Sequence, residues 1–166
     1  MTVALAWEDS YLGALRTLAG PDRVLLGLSA HGLLRDPQGR ILLIQRSDDL
    51  TWAIPGGTME LGETLRDCTI REIREEAGLI AHAVTPFGLY TQTQDLRPNV
   101  YGHTYQPIAL VCRVDSYSGE LEKVTDESVD AGWFFPDEVP EGTGRLIGRV
   151  LKDLEAFEKD GTFALD

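Results

Sequence analysis

The stretch from Trp52 to Leu79, WAIPGGTMELGETLRDCTIREIREEAGL, constrains the chain more than any other part of it. Its first half carries Pro55, Gly56, Gly57 and Gly62, a composition that favours a loop whose backbone can turn back on itself. Its second half, Thr64 to Ala77, has helical periodicity and stops at Gly78, a residue suited to the position after a helix. On a helix that advances about 100° per residue, Glu72, Glu75 and Glu76 fall within an arc of about 100°, and Ile70, Ile73 and Ala77 cluster on another face. Like charges at these spacings oppose helix formation by about 0.2–0.5 kcal/mol per pair. A helix that keeps them predicts a compensating group, and for three carboxylates a hard divalent cation such as Mg²⁺ meets the need through oxygen ligands. The loop can fold over the helix start and bring Glu63 and backbone carbonyls to the same place. Arg71 lies four residues before Glu75 and can pair with it or with Glu63, orienting the carboxylates from behind.

Around this segment the chain reads as one domain of mixed α and β structure. Residues 9–19 predict a short helix with Asp9 or Ser10 as N-cap, ended by Gly20-Pro21. Val24 to Leu34 and Arg40 to Arg46 are β-rich runs separated by Asp36-Pro37-Gln38-Gly39, so a hairpin is expected. Beyond the central helix, Ile80–Thr91 and Thr104–Val114 predict strands joined by a polar loop, Gln92 to His103. A turn is expected at Asp115–Glu120, a short strand at Ala131–Phe135, and a final helix over 144–159. No repeat, low-complexity tract or linker interrupts this pattern.

Fifteen Lys and Arg stand against 27 Asp and Glu, a formal net charge of −12. A surface that acidic repels a bare polyphosphate and an anionic bilayer, so neither non-specific nucleic-acid binding nor membrane attachment is expected. An anionic substrate would need a carboxylate-held metal to neutralise it. Cys68 and Cys112 could form at most one disulfide and have no metal-ligand spacing, which fits a reducing cytoplasm. Met1 to Trp7 lacks a basic start and meets Glu8 and Asp9 early, so no signal peptide is expected.

Gly57, five residues, Glu63, seven residues, then Arg71-Glu72-Ile73-Arg74-Glu75-Glu76-Ala77-Gly78-Leu79 resembles the Nudix box, G-x5-E-x7-R-E-U-x-E-E-x-G-U with U apolar, at every defined position. Chance agreement at these seven identities and two apolar positions is on the order of once in 10¹⁰ windows. The run Leu42–Arg46 and the Trp-x-x-Pro-Gly-Gly lead-in also look like members of this MutT-like hydrolase family. The resemblance implies an α/β fold, an α/β/α sandwich around a mixed β-sheet with a loop-helix-loop motif. It places the Nudix domain at 22–139, with 1–21 as an N-terminal helical extension and 140–166 as the C-terminal helix of the same domain.

The resemblance further implies a metal-dependent pyrophosphohydrolase that uses Mg²⁺ or Mn²⁺ and cleaves a nucleoside diphosphate linked to another moiety. By motif position Glu72, Glu75 and Glu76 are implied metal ligands, joined by the carbonyl of Gly56 or Gly57. Glu63, Arg71, Gly57 and Gly78 are implied to support the site. The general base is expected at Glu127, with Glu75 as the alternative, because relatives often carry such a residue on a later loop. Arg46 is a candidate phosphate contact through its planar fork, or equally a surface charge on an edge strand.

Trp52 and Trp133 are expected to pack the core, His31 and His103 to be structural or surface residues, Cys68 to fill space in the helix, and Arg97 to be an exposed loop charge. The N-terminal helix caps the sheet or mediates a homodimer. Two other classes are a nucleotide sensor that does not cleave and an isomerase; the second lacks the Cys and Glu pair its chemistry needs. ADP-ribose or a nucleotide sugar, a dinucleoside polyphosphate and a damaged nucleoside triphosphate are the candidate substrates.

Overall fold

A computed structural model describes residues 7–93, 96–144 and 146–166. The reading of the first six residues, and of Gln94 and Asp95 in the polar loop, lies outside the described residues. A 3-10 turn at Trp7–Asp9 leads into helix α1, Tyr11–Ala19. Ser10 is its N-cap: the hydroxyl accepts from Gly13 N at 3.0 Å and donates to Trp7 O at 2.8 Å. A side chain at Gly13 would put its Cβ 1.8 Å from Trp7 O, so the turn and the helix close on each other only because this residue is glycine.

The strands that follow are β1 (Leu25–Leu33), β2 (Ile41–Arg46), β3 (Trp52–Ala53) and β4 (Gly56–Thr58). Helix α2 (Leu65–Ala77) separates them from β5 (Ile80–Thr91), β6 (Tyr105–Ser118) and β7 (Ser128–Phe134), and α3 (Ile147–Asp160) precedes β8 (Ala164–Leu165). Five strands form a mixed sheet in the order β4-β1-β6-β5-β8, in which β1 runs parallel to β6 and β6 antiparallel to β5. The order β3-β2-β7 makes a second, antiparallel sheet.

The expected hairpin of β1 and β2 does not form. Its turn is present, with Gly39 N on Asp36 O at 3.0 Å and the Asp36 carboxylate on Arg40, but pairing stops at Leu42 N to Leu34 O. Beyond that point the two strands enter different sheets. The reason lies in β2, where Ile41, Leu42, Leu43 and Ile44 are all buried, so both faces of the strand need a covering layer. Ile41 and Leu43 pack with Phe87, Val150 and Leu154 beneath α3, whereas Leu42 and Ile44 pack with Ile73, Ala77 and Leu79 beneath α2. The two helices thus close a sandwich from opposite sides.

Strand β6 continues through Asp115 to Ser118, where a turn was expected, because Ala81 to Ala83 of β5 still pair with it and Tyr117 stacks on Trp133. The turn comes at Gly119, whose φ is +101°. Helix α3 starts at Ile147 rather than Gly144, whose N–H is held by Trp52 O at 3.0 Å. Trp52 packs against the apolar cluster beneath α3 and Trp133 against the one beneath α2. Among the described residues no helix is long and apolar enough to cross a membrane.

Candidate active site

Helix α2 is set up by its ends. Thr64 Oγ1 accepts from Asp67 N at 3.1 Å, and Gly78 takes the left-handed conformation at φ +69° while its N–H reaches Arg74 O at 3.0 Å. Strand β4 then fixes the preceding loop: Ser29, Ala30 and His31 of β1 pair with Thr58, Gly57 and Gly56. The sheet therefore presses the backbone of Gly56 and Gly57 against α2. Gly56 N donates to Glu76 Oε2 at 2.8 Å in a buried contact. A Cβ on Gly57 would lie 2.5 Å from Glu72 Oε1, so the glycine is what lets this backbone touch the carboxylate.

Arg71 draws the acidic groups together from one side. Its Nε and one Nη bind the two oxygens of Glu63 at 3.0 and 2.8 Å, its other Nη binds Glu72 at 2.7 Å and Glu75 at 3.0 Å, and Thr58 O accepts at 3.0 Å. Glu75 is thereby occupied with Arg71. The three residues whose carboxylate oxygens converge, all within 4.8 Å of one another, are Glu72, Glu76 and Glu127.

Glu127 arrives from the loop before β7. Ser128 Oγ donates to Glu76 O at 2.9 Å, Ser47 N donates to Glu127 O at 3.0 Å, and Glu127 N reaches Thr125 Oγ1 at 3.2 Å. Arg46 lines the same cavity with two nitrogens on Asp48, at 2.9 and 2.7 Å, a pairing that keeps its guanidinium charged. Gly57 O faces Cys68 Sγ at 3.7 Å, inside the same turn of structure.

Burial and mutual repulsion disfavour the charged carboxylates. Desolvation pushes Glu72 up to about 7 against the pull of Arg71, and pushes Glu76 up to about 8 with Glu72 adding to the effect. Burial, then Glu75, also raises Glu127. Once deprotonated, three carboxylates held this close in a low dielectric are complementary to a small multivalent cation. Their oxygen-only chemistry fits Mg²⁺ or Mn²⁺ better than a metal that prefers nitrogen or sulfur.

The carboxylates stand in a cavity of about 590 Å³, within the range of small-molecule sites. Trp7, Ser29, Asn99, Tyr101 and Tyr105 also line it. None of these five was singled out by sequence reasoning as a site residue, because no local pattern marks a residue that reaches a pocket from a distant segment. His31 was expected to be structural: its Nε2 lies 3.1 Å from Ser29 Oγ, and burial, with Arg46 nearby, lowers its pKa to about 4. Arg97 is exposed and does not line the cavity.

Residues 25–154 match the model of the NUDIX domain. A MutT-like protein of Streptomyces ambofaciens is 36% identical over 129 residues, covering 78% of this chain and 77% of its own length. An ADP-ribose pyrophosphatase of Methanocaldococcus jannaschii is 35% identical over 108 residues, covering 63% of this chain and 60% of its own. Among solved structures, the MutT NUDIX hydrolase from Burkholderia pseudomallei superposes with a TM-score of 0.64 at 25% identity, over 77% of this chain and 97% of that one. With the match spanning most of the chain, and with the box glutamates on the helix and loop that the motif requires, the chain belongs to the Nudix hydrolase family.

Proposed function

We propose that the chain is a metal-dependent pyrophosphohydrolase that cleaves the P–O–P bridge of a nucleoside diphosphate linked to another moiety. The observation that carries this reading is the convergence of Glu72, Glu76 and Glu127 within 4.8 Å beside a cavity large enough for a nucleotide. Glu72 and Glu76, with Glu75 and the Gly57 carbonyl at its edge, would hold Mg²⁺ or Mn²⁺. When bound, the metal supplies positive charge to the diphosphate and acidifies the attacking water.

The protein's own groups do the rest. Arg71 holds Glu63, Glu72 and Glu75 in one orientation, and Gly56 N–H fixes one oxygen of Glu76. Glu127, carried on a loop that Ser128 ties to α2, accepts the proton from water as it attacks phosphorus. In the metal-free site burial and the neighbouring Glu75 raise its pKa. Arg46, on the lining of the same cavity, supplies the guanidinium for a phosphate oxygen. Similarity to the ADP-ribose pyrophosphatase of M. jannaschii supports ADP-ribose as the first substrate to test, alongside nucleotide sugars, dinucleoside polyphosphates and non-canonical nucleoside triphosphates. The unpaired, buried Cys68 and Cys112 support a reducing, cytoplasmic setting.

The test is a panel of these substrates incubated with Mg²⁺ and read by product mass. Release of a nucleoside monophosphate or of phosphate, abolished by Glu76→Gln, is expected. Binding of nucleotides without cleavage of any member would replace this reading with a nucleotide sensor.

A further inference from the structure

The N-terminal turn and helix lie outside the box, yet they help to wall the cavity. Trp7 and Ser10 line it from the turn and its cap, and Leu12 from the first turn of α1. Tyr11 N donates to Glu60 Oε2 at 2.8 Å, which ties the start of α1 to the loop that leads into α2. At the other end Arg16, only 5% exposed, donates to the carbonyls of Gly20, Pro21, Arg23 and Thr104 and to Tyr105 Oη, with its guanidinium 4.7 Å from the centre of the Tyr105 ring. The extension is therefore fastened to the box loop at one point and to the start of β6 at another.

Between those points the cavity wall is aromatic. The Trp7 ring stacks on His103 at 6.1 Å and 21°, and His103 meets Tyr105 edge-on at 6.5 Å. Of these, Trp7 and Tyr105 line the cavity, and Tyr101 joins them there. Trp7 is 49% exposed and Tyr101 70% exposed, so two large ring surfaces face solvent beside a pocket rather than the core. His103 Nδ1 is buried with no hydrogen-bond partner among the described residues. The cations among the described lining residues are Arg46 and Arg71, and each is already paired beside the carboxylates: Arg71 bonds Glu72 and Arg46 bonds Asp48. Arg16 is spent on carbonyls. This wall thus offers ring faces and neutral polar groups but no cation for a second phosphate, which selects a flat, uncharged heteroaromatic group.

We infer that Trp7 and Tyr101 form the platform on which the nucleobase stacks, so that the N-terminal extension is a specificity element of the site. Arg16 is a positioning residue that holds the extension against β6. The inference rests on the proposed function for the identity of the ligand as a nucleotide, and its experiment separates the two. The full-length protein with Mg²⁺ is titrated calorimetrically with the α,β-methylene analogues of ADP and UDP and, separately, with methylenediphosphonate, which has the diphosphate geometry and no base. Trp7→Ala should weaken a nucleotide analogue by about tenfold and leave methylenediphosphonate unchanged, with Trp7→Phe restoring most of the loss. Tyr101→Ala should show the same selectivity in a smaller degree.

Three outcomes would overturn the platform: a Trp7→Ala protein that binds the analogues as wild type does, an equal loss for methylenediphosphonate, or wild-type protein that binds neither analogue more tightly than methylenediphosphonate. Absence of Mg²⁺-dependent methylenediphosphonate binding would instead count against the hydrolase reading. Circular dichroism of each variant confirms that the fold is retained.

Discussion

Ser128 Oγ donates a 2.9 Å hydrogen bond to the carbonyl of Glu76, joining the first residue of β7 to the last turn of α2. The contact is buried, and it satisfies one of the carbonyls that a helix end leaves without an intrahelical partner. It also decides where Glu127 stands, since the neighbouring residue is the one anchored.

Ser128→Ala should therefore have two effects. Loss of the donor leaves the Glu76 carbonyl buried without this partner, at a cost of about 1–3 kcal/mol. Turnover should fall further than this loss of stability explains, because Glu127 loses its anchor. Urea denaturation and steady-state hydrolysis of the best substrate from the panel measure the two. A stable variant with unchanged turnover would show that Glu127 needs no anchor.

Glu127→Gln separates proton transfer from metal binding. The amide keeps the size of the side chain but accepts no proton, so turnover should fall about 10²–10⁴-fold. Mg²⁺ affinity, measured by calorimetry, should change much less, whereas Glu76→Gln should weaken both. If Glu127→Gln instead lost metal affinity to the same degree as Glu76→Gln, Glu127 would be a ligand, and Glu75 would become the base to test.

The glutamates also predict a pH dependence for the metal-free protein. Glu72 and Glu76 titrate near 7 and 8 in the folded state, above the ordinary carboxylate range. Between that range and pH 8 the folded state binds more protons than the unfolded state, so stability falls as pH rises. Their contribution is fully present below the unfolded pKa and is lost as pH passes through 7 to 8. Metal-free protein should thus melt at a higher temperature at pH 5.5 than at pH 8.5, and Glu76→Gln should flatten the difference. Saturating Mg²⁺ requires the deprotonated carboxylates, so the stabilisation it adds should grow over the same interval. Thermal melts with EDTA and with Mg²⁺ check both slopes.

These effects trace back to what a linear sequence displays. The extent of α2, to within one residue at its start, and its stop at Gly78 were legible because they are local patterns within a few residues. The carboxylate array was legible only in part: Glu72 and Glu76 turn inward to 5% and 4% exposure, while Glu75 turns to Arg71 and the third converging group, Glu127, comes from a distant loop. The parting of β1 from β2 was less legible. The turn between them reads as a hairpin, and only the unbroken run Ile41–Ile44 hints that β2 must be covered on both sides. Trp7 was not legible at all as a cavity residue. Its place depends on Arg16 reaching Thr104 and Tyr105, a contact spanning nearly ninety positions that no periodicity records.

That contact gives the last prediction. Arg16 is buried, and its guanidinium serves four carbonyls and one phenol, so Arg16→Ala removes five hydrogen bonds. Hydrogen bonds to a charged group contribute about 1.5–3 kcal/mol each to stability, but several of these end on exposed loop backbone that water can reach after the change. A net loss of about 3 kcal/mol follows. Arg16→Lys keeps the charge but lacks the planar fork that spans separate carbonyls, so it should recover less than half of that loss. If the extension serves the substrate end of the cavity, both variants should raise KM for a nucleotide substrate while Mg²⁺ affinity stays near wild type. A variant that is destabilised by this amount and keeps the wild-type KM would show that Arg16 holds the fold and not the site.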